Sequence, residues 1–400
     1  MFSETKASKS PVIIIGTNIT SLGVIRGLRE SNVTIYTVSD DSSGLGCMSK
    51  YVHSDVIIDS GSADYASLVI DWIRNTFQSK PIVMIAGHDV ALSLLSKEHA
   101  LLRKYAIPTF PEWNIVKGIV HKEKTNELAK ELNIPVIKTE SIKNKSELNS
   151  YLNSIDESDY PLFMKCTLSS QFLKLYGTKG VVCHGREEVV LAYNKYDGFL
   201  ENLLLQEYLL GDLDEVLAVL MVLNRDSEVV AVSANKKIRA SKPYGSTSLS
   251  SSTWDQSVVE NAVKLAEASR YVGTVGVQFK FDPKVGEYKF LEINGRFSVS
   301  VSLSQRCGVN LPDIVYKVFT SNDQKRLKEF TRAYQDNILL WWPVDDFRIL
   351  FQKRFYKNPW KYIKSLKGNG YIIEPINVTD PGPLLKMIYL PILGIVKKFL

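Results

Sequence analysis

The stretch Phe290-Leu-Glu-Ile-Asn-Gly-Arg296 decides the fold of this chain, because polar side chains recur at every second position of an apolar strand. Side chains of a β-strand alternate between its two faces, so Glu292 and Asn294 project to the same side. Leu291 and Ile293 turn to the opposite face, where we expect them to be buried. The stretch therefore predicts a strand that offers cation ligands on one face and packs on the core with the other.

A second strand, Val277-Gln-Phe-Lys-Phe-Asp282, precedes the first by a short turn and alternates in the same way. If the turn centres near Val285, Gln278 lies directly opposite Glu292, with Cβ atoms roughly 5 Å apart. Carboxylate and amide oxygens suit Mg²⁺, with Mn²⁺ as an alternative, and substrate phosphates usually complete the shell. The hairpin predicts a metal and ATP site formed by Glu292, Asn294 and Gln278. An amphipathic hairpin with a merely polar outer face would show the same alternation.

With Cys307-Gly-Val-Asn-Leu-Pro312, the sequence Glu-Ile-Asn-Gly-Arg resembles the closing motif of ATP-grasp enzymes, especially carboxylate–amine ligases of the D-aspartate ligase-like and carbamoyl phosphate synthase large-subunit-like kinds. His121-Lys-Glu-Lys-Thr125 resembles the family's first nucleotide lysine at a helix start, and Tyr160-Pro-Leu-Phe-Met-Lys165 resembles the strand carrying the second. The resemblance implies that Lys122 and Lys165 contact ATP phosphates, which a compact charge on a flexible stem suits. Taken singly, each lysine is typical of a solvated or snorkelling side chain.

Leu205-Gln-Glu-Tyr-Leu-Leu-Gly211 resembles the hinge strand of the same family, against which adenine lies. A hinge needs no special side chain, because adenine can be recognised by the backbone. The resemblance implies that backbone groups of Glu207 and Leu209 bind the adenine ring.

The ribose has a matching carboxylate a few residues further along the chain. Glu215 opens an apolar strand and resembles the family residue that accepts from the ribose hydroxyls. Asp212 and Asp214 compete with Glu215 for this role.

Gln278 departs from the family pattern, which usually has a carboxylate at its position. An amide in place of an anion attracts Mg²⁺ less strongly, so the site is at risk of losing one of two metal ions. Asp282 lies further along the same face of the strand. The sequence leaves open whether its carboxylate compensates for the amide of Gln278.

A cationic strand precedes the hairpin. From Val229 to Arg239, alternation places Lys237 and Arg239 on one face. Arginine can hold a carboxylate or an acyl phosphate bidentately, a geometry that lysine matches less well. We expect Arg239 and Arg296, with Lys237 beside them, to be the catalytic residues that hold the substrate acid. The alternative is an exposed basic edge, residues 236–242, that discourages strand aggregation.

The N-terminal third predicts a Rossmann-like α/β domain. Val12-Ile-Ile-Ile-Gly16 is an apolar run typical of a buried parallel strand, and residues 33–38 and 81–86 repeat it between helical stretches. The glycines after the first strand do not form G-x-G-x-x-G, so dinucleotide binding is not expected. His88 and Asp89 follow a strand, and we expect them to cap the loop there. In proteins that the chain resembles, such a domain helps to form the substrate cleft.

The chain of 400 residues, with 45% hydrophobic and 23% charged content, suffices for two or three α/β domains. We expect a Rossmann-like domain at 1–115 and a two-lobed ATP-grasp domain at 116–325, with its small lobe at about 135–208. Residues 326–400 follow as a basic and aromatic C-terminal appendage.

The C-terminal appendage offers two interpretations. Its aromatic and basic residues are interleaved, and Leu384 to Leu400 is apolar but interrupted by lysines and a proline, too short and broken for a membrane span. Residues 345–400 could lie on a membrane surface, or could pack on the catalytic domains or mediate a homodimer. A net charge of +6 is modest, and without a recognisable module we expect no nucleic acid partner.

Cysteine usage and the N-terminus favour the cytoplasm. Cys47, Cys166, Cys183 and Cys307 are scattered, which indicates reduced thiols rather than disulfides or a zinc site. Residues 1–10 lack the apolar core of a secretory signal. We expect a cytoplasmic protein that contacts the inner face of the membrane if the appendage binds lipid.

The resemblance implies an ATP-dependent carboxylate–amine ligase. ATP would phosphorylate a small-molecule carboxylate, and an amine would attack the acyl phosphate, giving an amide, ADP and phosphate. The sequence does not identify the acid or the amine. A phosphotransferase on the same fold, and a non-catalytic ATP-binding protein weakened by Gln278, are the alternatives.

Overall fold

The computed structural model describes residues 9–78, 81–166, 175–178, 180–196, 203–209, 215–240, 247–321, 334–347, 349 and 359–389. Three β-sheets organise this part of the chain, with five, four and seven strands.

The N-terminal sheet is parallel, as the apolar runs predicted. Its strands are β1 (Val12–Ile15), β2 (Ile35–Ser39), β3 (Val52–Ile57), β4 (Ile82–Ala86) and β5 (Ala106–Pro108), in the order β3-β2-β1-β4-β5. Its helices are α1 (Ile19–Leu28), α2 (Tyr65–Thr76), α3 (Asp89–Lys97), α4 (His99–Leu102) and α5 (Trp113–Val120). Every residue of β1 is fully buried, because α1 covers one face of the sheet and α2 with α3 cover the other.

The strand order reverses beside β1, since the chain runs outward to β3 and then returns to β4 on the other side. The loops after β1 and β4 diverge at such a switch point and leave a crevice at the carboxyl ends of the strands. Gly16 lies there with φ +94, and a Cβ at this position would come within 2.3 Å of the His88 ring. Only glycine permits both this backbone conformation and this close approach.

The second sheet is antiparallel and follows helix α6 (Lys122–Glu131). Its strands are β6 (Thr139–Ile142), β7 (Leu162–Cys166), β8 (Gly180–Cys183) and β9 (Leu203–Glu207), in the order β6-β9-β7-β8. Helices α7 (Lys145–Ser154) and α8 (Arg186–Lys195) pack on it and close a separate apolar core. These elements lie within the range predicted for the small lobe.

The third sheet contains the hairpin that carries Gln278 and Glu292. Its strands are β10 (Val216–Leu223), β11 (Val229–Ala240), β12 (Thr247–Ser252), β13 (Gly273–Asp282), β14 (Glu287–Asn294), β15 (Ile338–Trp341) and β16 (Gly370–Ile373), in the order β14-β13-β10-β11-β12-β15-β16. Its helices are α9 (Gln256–Ala268), α10 (Val301–Arg306), α11 (Leu311–Thr320), α12 (Pro343–Phe347) and α13 (Pro359–Lys364).

One apolar core joins the parallel sheet to the seven-stranded sheet. Ile15 and Met84 of the first belong to the same buried cluster as Val219 and Val277 of the second, with Ala262 of α9 between them. The small antiparallel sheet contributes nothing to this cluster. We expect a ligand where this separate sheet meets the shared body, since binding sites often lie between packed units.

The C-terminal segment differs from the expected appendage, because its described parts add the last two strands to the seven-stranded sheet. β15 pairs with β12, and β16 pairs in parallel with β15. Arg26 of α1 donates to Asp380 at 2.9 Å and pairs with Glu374, and all three are buried. These ion pairs tie the end of the chain to the N-terminal domain.

Part of the predicted membrane-contacting segment lies outside the described residues, namely 348, 350–358 and 390–400. Residues 382–389 are helical, and Lys386 donates to the carbonyl of Gly44 at 2.7 Å. Leu385, Ile388 and Tyr389 of the same helix are exposed. Across the described ranges, every helix is too short or too polar to span a bilayer.

Candidate active site

The β13–β14 hairpin has the predicted register. Gln278 lies opposite Glu292, and Gly276 lies opposite Asn294. A β-bulge follows, because Phe279 pairs with Phe290 and leaves Leu291 without a partner. The prediction that Leu291 is buried with Ile293 was therefore wrong: Phe290 and Ile293 are buried, while Leu291 is half-buried.

Glu292 is the centre of a charged cluster. Its Oε1 accepts from Nδ2 of Asn294 at 3.3 Å, so the two side chains share one face as predicted. Its Oε2 lies 3.6 Å from Nζ of Lys122. Lys122 is the first residue of α6, which confirms the predicted helix start. The segment that follows α6 is held against the same strand, because the amide of Phe290 donates to the carbonyl of Pro135 at 2.6 Å.

Lys165 approaches this cluster from the small sheet. Its side chain is 7% exposed and donates to Oε1 of Gln206 at 2.7 Å. Burial, and to a smaller extent the charge of Lys122, lower the pKa of Lys165 to about 7, although Glu292 opposes the shift. The two lysines and Glu292, from three separate elements, thus share one electrostatic environment.

Two lysines that the sequence analysis did not single out connect the hinge to the hairpin. Lys289 lies 3.1 Å from Oε2 of Glu207 and 2.7 Å from Oδ2 of Asp282. Lys280 donates to the carbonyl of Leu209 at 2.9 Å. Burial is the largest single influence on Asp282 and opposes its ionisation, but the hydrogen bonds and charges of Lys289 and Lys284 together outweigh it and lower the pKa of this carboxyl. Both lysines lie on the strands of the hairpin. Lys280 belongs to the same set of alternating polar residues as Gln278.

The predicted adenine and ribose positions lie along this hinge. The amide of Glu207 donates to the carbonyl of Lys138 at 2.9 Å, so adenine contacts at Glu207 would need its carbonyl. Glu215 is half-buried and directly precedes β10. Asp212 and Asp214, the alternatives for the ribose, lie outside the described residues.

Arg296 links the hairpin to the parallel sheet. Its Nε and Nη2 donate to the two carboxylate oxygens of Asp89 at 2.7 and 2.8 Å. Asp89 is the first residue of α3, and His88 caps this helix by accepting from the amide of Ala91 at 3.2 Å. Sequence analysis expected a cap at this loop, but it had no signal for a partner more than two hundred residues away.

Arg239 does not face this cluster, which corrects its assignment as a substrate residue. Arg239 is 7% exposed; it donates to Oδ1 of Asp346 at 2.9 Å and stacks 4.1 Å from the Tyr362 ring centroid. The register of β11 shifts between Lys237 and Arg239, so the alternation that placed them on one face is broken. Arg239 holds the C-terminal segment. Lys237 is half-buried and remains a candidate for holding the substrate acid.

Comparisons with known proteins bear on the fold that carries this cluster. Residues 199–337 match the family model described as ATP-grasp in the biosynthetic pathway with Ter operon. The chain carries an ATP-grasp domain. The biotin carboxylase domain of the 2-oxoglutarate carboxylase of Hydrogenobacter thermophilus, solved with MgADP, ADP and bicarbonate, is similar with a TM-score of 0.64 at 16% identity. The likeness covers 83% of this chain and 74% of that one, and it shows the fold.

Two relatives of the ATP-grasp domain are ligases or synthases by name. The D-aspartate ligase of Enterococcus faecium (strain Aus0004) is 23% identical over 253 residues, 60% of this chain and 59% of that protein. The carbamoyl phosphate synthase large chain of Methanothermobacter thermautotrophicus is 21% identical over 257 residues, 58% of this chain and 23% of that protein. The chain thus spans less than two thirds of the length of either relative.

The ligand set of the ATP-grasp domain fits a hard cation bound together with phosphate. Within the described ranges, no group of three or more His, Cys, Asp or Glu side chains could hold a metal ion unaided. One carboxylate, Glu292, and two amides, Asn294 and Gln278, offer only oxygen ligands, as Mg²⁺ prefers. Three protein ligands of this kind leave positions for phosphate oxygens and water.

Proposed function

We propose that the protein is an ATP-dependent carboxylate–amine ligase, which forms an amide through an acyl phosphate and releases ADP and phosphate. The observation that carries the proposal is the convergence of Lys122 and Lys165 on Glu292. Phosphoryl transfer depends mainly on positioned charge and needs no nucleophilic side chain. A site with two cations beside oxygen ligands for a metal has the charges that this reaction requires.

The two lysines would neutralise the ATP phosphates from opposite walls of the cleft. Lys122 stands at the start of α6, where the unpaired amides of the first helical turn also favour phosphate. Lys165 is held by Gln206, so its amine needs little reorganisation to meet a phosphate oxygen. The hinge at Glu207 and Leu209 would bind adenine, and Glu215 would accept from the ribose.

Glu292 and Asn294, with Gln278 opposite, would hold Mg²⁺ or Mn²⁺. When bound, the ion neutralises charge that develops on the transferred phosphoryl group.

Arg296 and Lys237 would hold the substrate acid. A carboxylate oxygen of the acid attacks the γ-phosphorus and ADP departs, which gives the acyl phosphate. The nitrogen of the neutral amine then attacks the acyl carbon, phosphate departs with the electron pair of the broken bond, and a proton leaves the nitrogen. Arg296 keeps Nη hydrogens beyond those bound to Asp89, which suits contact with the acyl phosphate.

Gln278 favours a second candidate function, a protein that binds ATP without consuming it. With an amide where the family usually has a carboxylate, Glu292 is the single anion among the three predicted metal ligands. Weak metal binding would then slow phosphoryl transfer without preventing nucleotide binding.

Product analysis tests the proposal. Purified protein is incubated with MgATP and mixed pools of carboxylic acids and amines, and ADP, AMP and new amides are measured. Glu292→Ala should abolish turnover, whereas Glu287→Ala, an exposed position on the same strand, should leave it unchanged. ADP that appears only with both pools supports a ligase, and acid-dependent ADP without an amine requirement indicates a phosphotransferase. Tight MgATP binding without turnover across a wide substrate range would favour the non-catalytic function.

A further inference from the structure

The crevice at the carboxyl ends of β1, β2 and β4 contains an accessible carboxylate that the proposed reaction has not used. Asp40 directly follows β2, and its side chain is 41% exposed. Its Oδ1 accepts from the amide of Ser60 at 3.2 Å. Its Oδ2 lies 3.4 Å from Nε2 of His88, without the geometry of a hydrogen bond. A ligand could therefore reach Asp40 and bind to Oδ2.

Two buried polar atoms near Asp40, the Tyr65 hydroxyl and Nε2 of His88, have no hydrogen-bond partner in the described part of the chain. Tyr65 is 1% exposed. Burial raises the pKa of its hydroxyl and the charge of Asp40 raises it further, so the hydroxyl lies within electrostatic reach of Asp40. Buried polar groups are rarely left unpaired, because each one that is removed from water without a partner destabilises the fold. The two atoms indicate a place where a ligand completes the hydrogen bonds.

The charge of the crevice selects the kind of ligand. Asp89 is neutralised by its two hydrogen bonds from Arg296, which leaves Asp40 without a cationic partner of similar quality. Nδ1 of His88 accepts from Ala91, so the proton of the neutral imidazole is on Nε2. Burial lowers the pKa of His88 and favours this neutral form, although Asp40 and Asp89 oppose the shift. The crevice thus offers one negative charge, one donor at His88 and one hydroxyl.

The crevice is connected to the phosphate site through Arg296. This residue follows Asn294 by two positions on the chain and holds Asp89, which is the neighbour of His88. A molecule bound at Asp40 would therefore lie on the same side of the hairpin end as the proposed acid site.

We propose that this crevice binds the amine co-substrate as its ammonium form, with Asp40 as the counter-ion and the Tyr65 hydroxyl as a second acceptor. The inference rests on the proposed ligase function and names the substrate class of its second step. An ammonium has three donors and no acceptor, which matches these two oxygens. His88 Nε2 donates to an acceptor elsewhere on the same molecule, so an amino acid satisfies all three groups. Before its nitrogen can attack the acyl phosphate, the ammonium must lose one proton, which passes to solvent water at the accessible Asp40.

Direct binding tests the crevice without turnover. The probes are free amino acids, each paired with the hydroxy acid of the same shape, such as alanine with lactate and aspartate with malate. Binding to the full chain is measured by saturation-transfer NMR. At least one amino acid should bind while its hydroxy analogue does not. Asp40→Asn should weaken that binding about tenfold or more, and Tyr65→Phe about threefold or more, because each removes a hydrogen bond to a charged group.

Asp41→Asn is the matched control, because Asp41 is the exposed neighbour whose Oδ1 accepts from the Ser43 amide at 2.6 Å. It should leave amino acid binding unchanged. MgADP binding by calorimetry is measured on every variant, and unchanged affinity shows that the fold survives. Equal binding to wild type and Asp40→Asn, equal binding of the hydroxy analogues, or no amino acid binding while MgADP binds would each overturn the inference. Failure of the wild type to bind MgADP would instead count against the proposed function.

Discussion

Lys165 is the residue whose chemistry depends most on its surroundings. An exposed lysine would be an ammonium at neutral pH, but burial lowers the pKa of Lys165 to about 7. Above this pH the empty site holds mostly a neutral amine. ATP phosphates would favour the ammonium and raise the pKa again.

We predict that MgATP binding takes up a proton at Lys165. The sign follows from the direction of the shift, since the group is mostly neutral before binding and charged after it. Uptake should approach about one proton at pH about 8.5 and decline toward zero as the pH falls below about 6, where the free site is already protonated. Calorimetry in buffers with different ionisation enthalpies measures the uptake. Lys165→Met should remove it, and persistence in this variant would contradict the assignment.

Gln278 supports a second prediction at this scale. Gln278→Glu places a carboxylate opposite Glu292 and should tighten Mg²⁺ binding in the presence of ADP, because a second anion attracts the ion more strongly. Titration of Mg²⁺ or Mn²⁺ at constant ADP measures the change. Gln78→Glu, the same substitution at an exposed position, serves as the control. An unchanged metal dependence in Gln278→Glu would place this residue outside the coordination shell.

At the scale of elements, the β13–β14 hairpin forms between neighbouring segments of the chain. The contacts of Lys280 and Lys289 with the hinge join segments that are far apart in the chain. The turn length and alternation of β13 and β14 suffice to predict that Gln278 faces Glu292. They do not predict the bulge at Leu291, because an extra residue depends on how the strand meets its core. The sequence of β7 likewise predicts the position of Lys165. Its hydrogen-bond partner Gln206, however, belongs to a strand about forty residues further along the chain.

Lys289 joins the hinge strand to the hairpin, and its loss should destabilise the fold. Lys289→Met would leave Asp282, at 2% exposed, without its ion pair. Removing one partner of a buried pair costs about 3 kcal/mol. The folded-state pKa of Asp282 is lowered, so this stabilisation is present above the unfolded pKa and is lost as the pH falls through the folded pKa. The difference between wild type and variant should therefore shrink in acid.

Urea unfolding at neutral and acidic pH measures this effect. Lys284→Met is a suitable control, because Lys284 is exposed in the same turn and the hydrogen bond to Asp282 comes from its backbone amide. Asp282→Asn combined with Lys289→Met should recover part of the lost stability. An equal loss at neutral and acidic pH would show that Lys289 acts through packing alone.

At the scale of the whole molecule, the C-terminal segment is a structural part of the fold. β15 and β16 extend the central sheet, Asp346 holds Arg239, and Asp380 holds Arg26. The aromatic and basic composition of residues 326–400 left packing on the catalytic domains as one of the open interpretations, because composition alone cannot separate a surface-binding tail from an edge strand. Homodimer formation and membrane contact remain predictions.

The predicted membrane contact would involve the end of this segment and can be tested directly. Leu385, Ile388 and Tyr389 are exposed on the helix that carries Lys386, a pattern suited to an anionic lipid surface. The intact chain should sediment with anionic liposomes, less with neutral ones, and deletion of residues 384–400 should reduce binding. A shorter deletion, 390–400, separates the described helix from the rest. Absence of binding by the intact chain would make the tail a packing element.

The sequence by itself determined the features that depend on neighbours along the chain. These are the apolar parallel strands, the helix start at Lys122, and the pairing of Gln278 with Glu292. The tertiary structure decided which charged groups meet. Arg296 pairs with Asp89, whereas Arg239, which looked equivalent, is buried against Asp346. The physical reason is that alternation and turn length act over a few residues, while burial and ion pairing depend on packing between segments far apart in the chain.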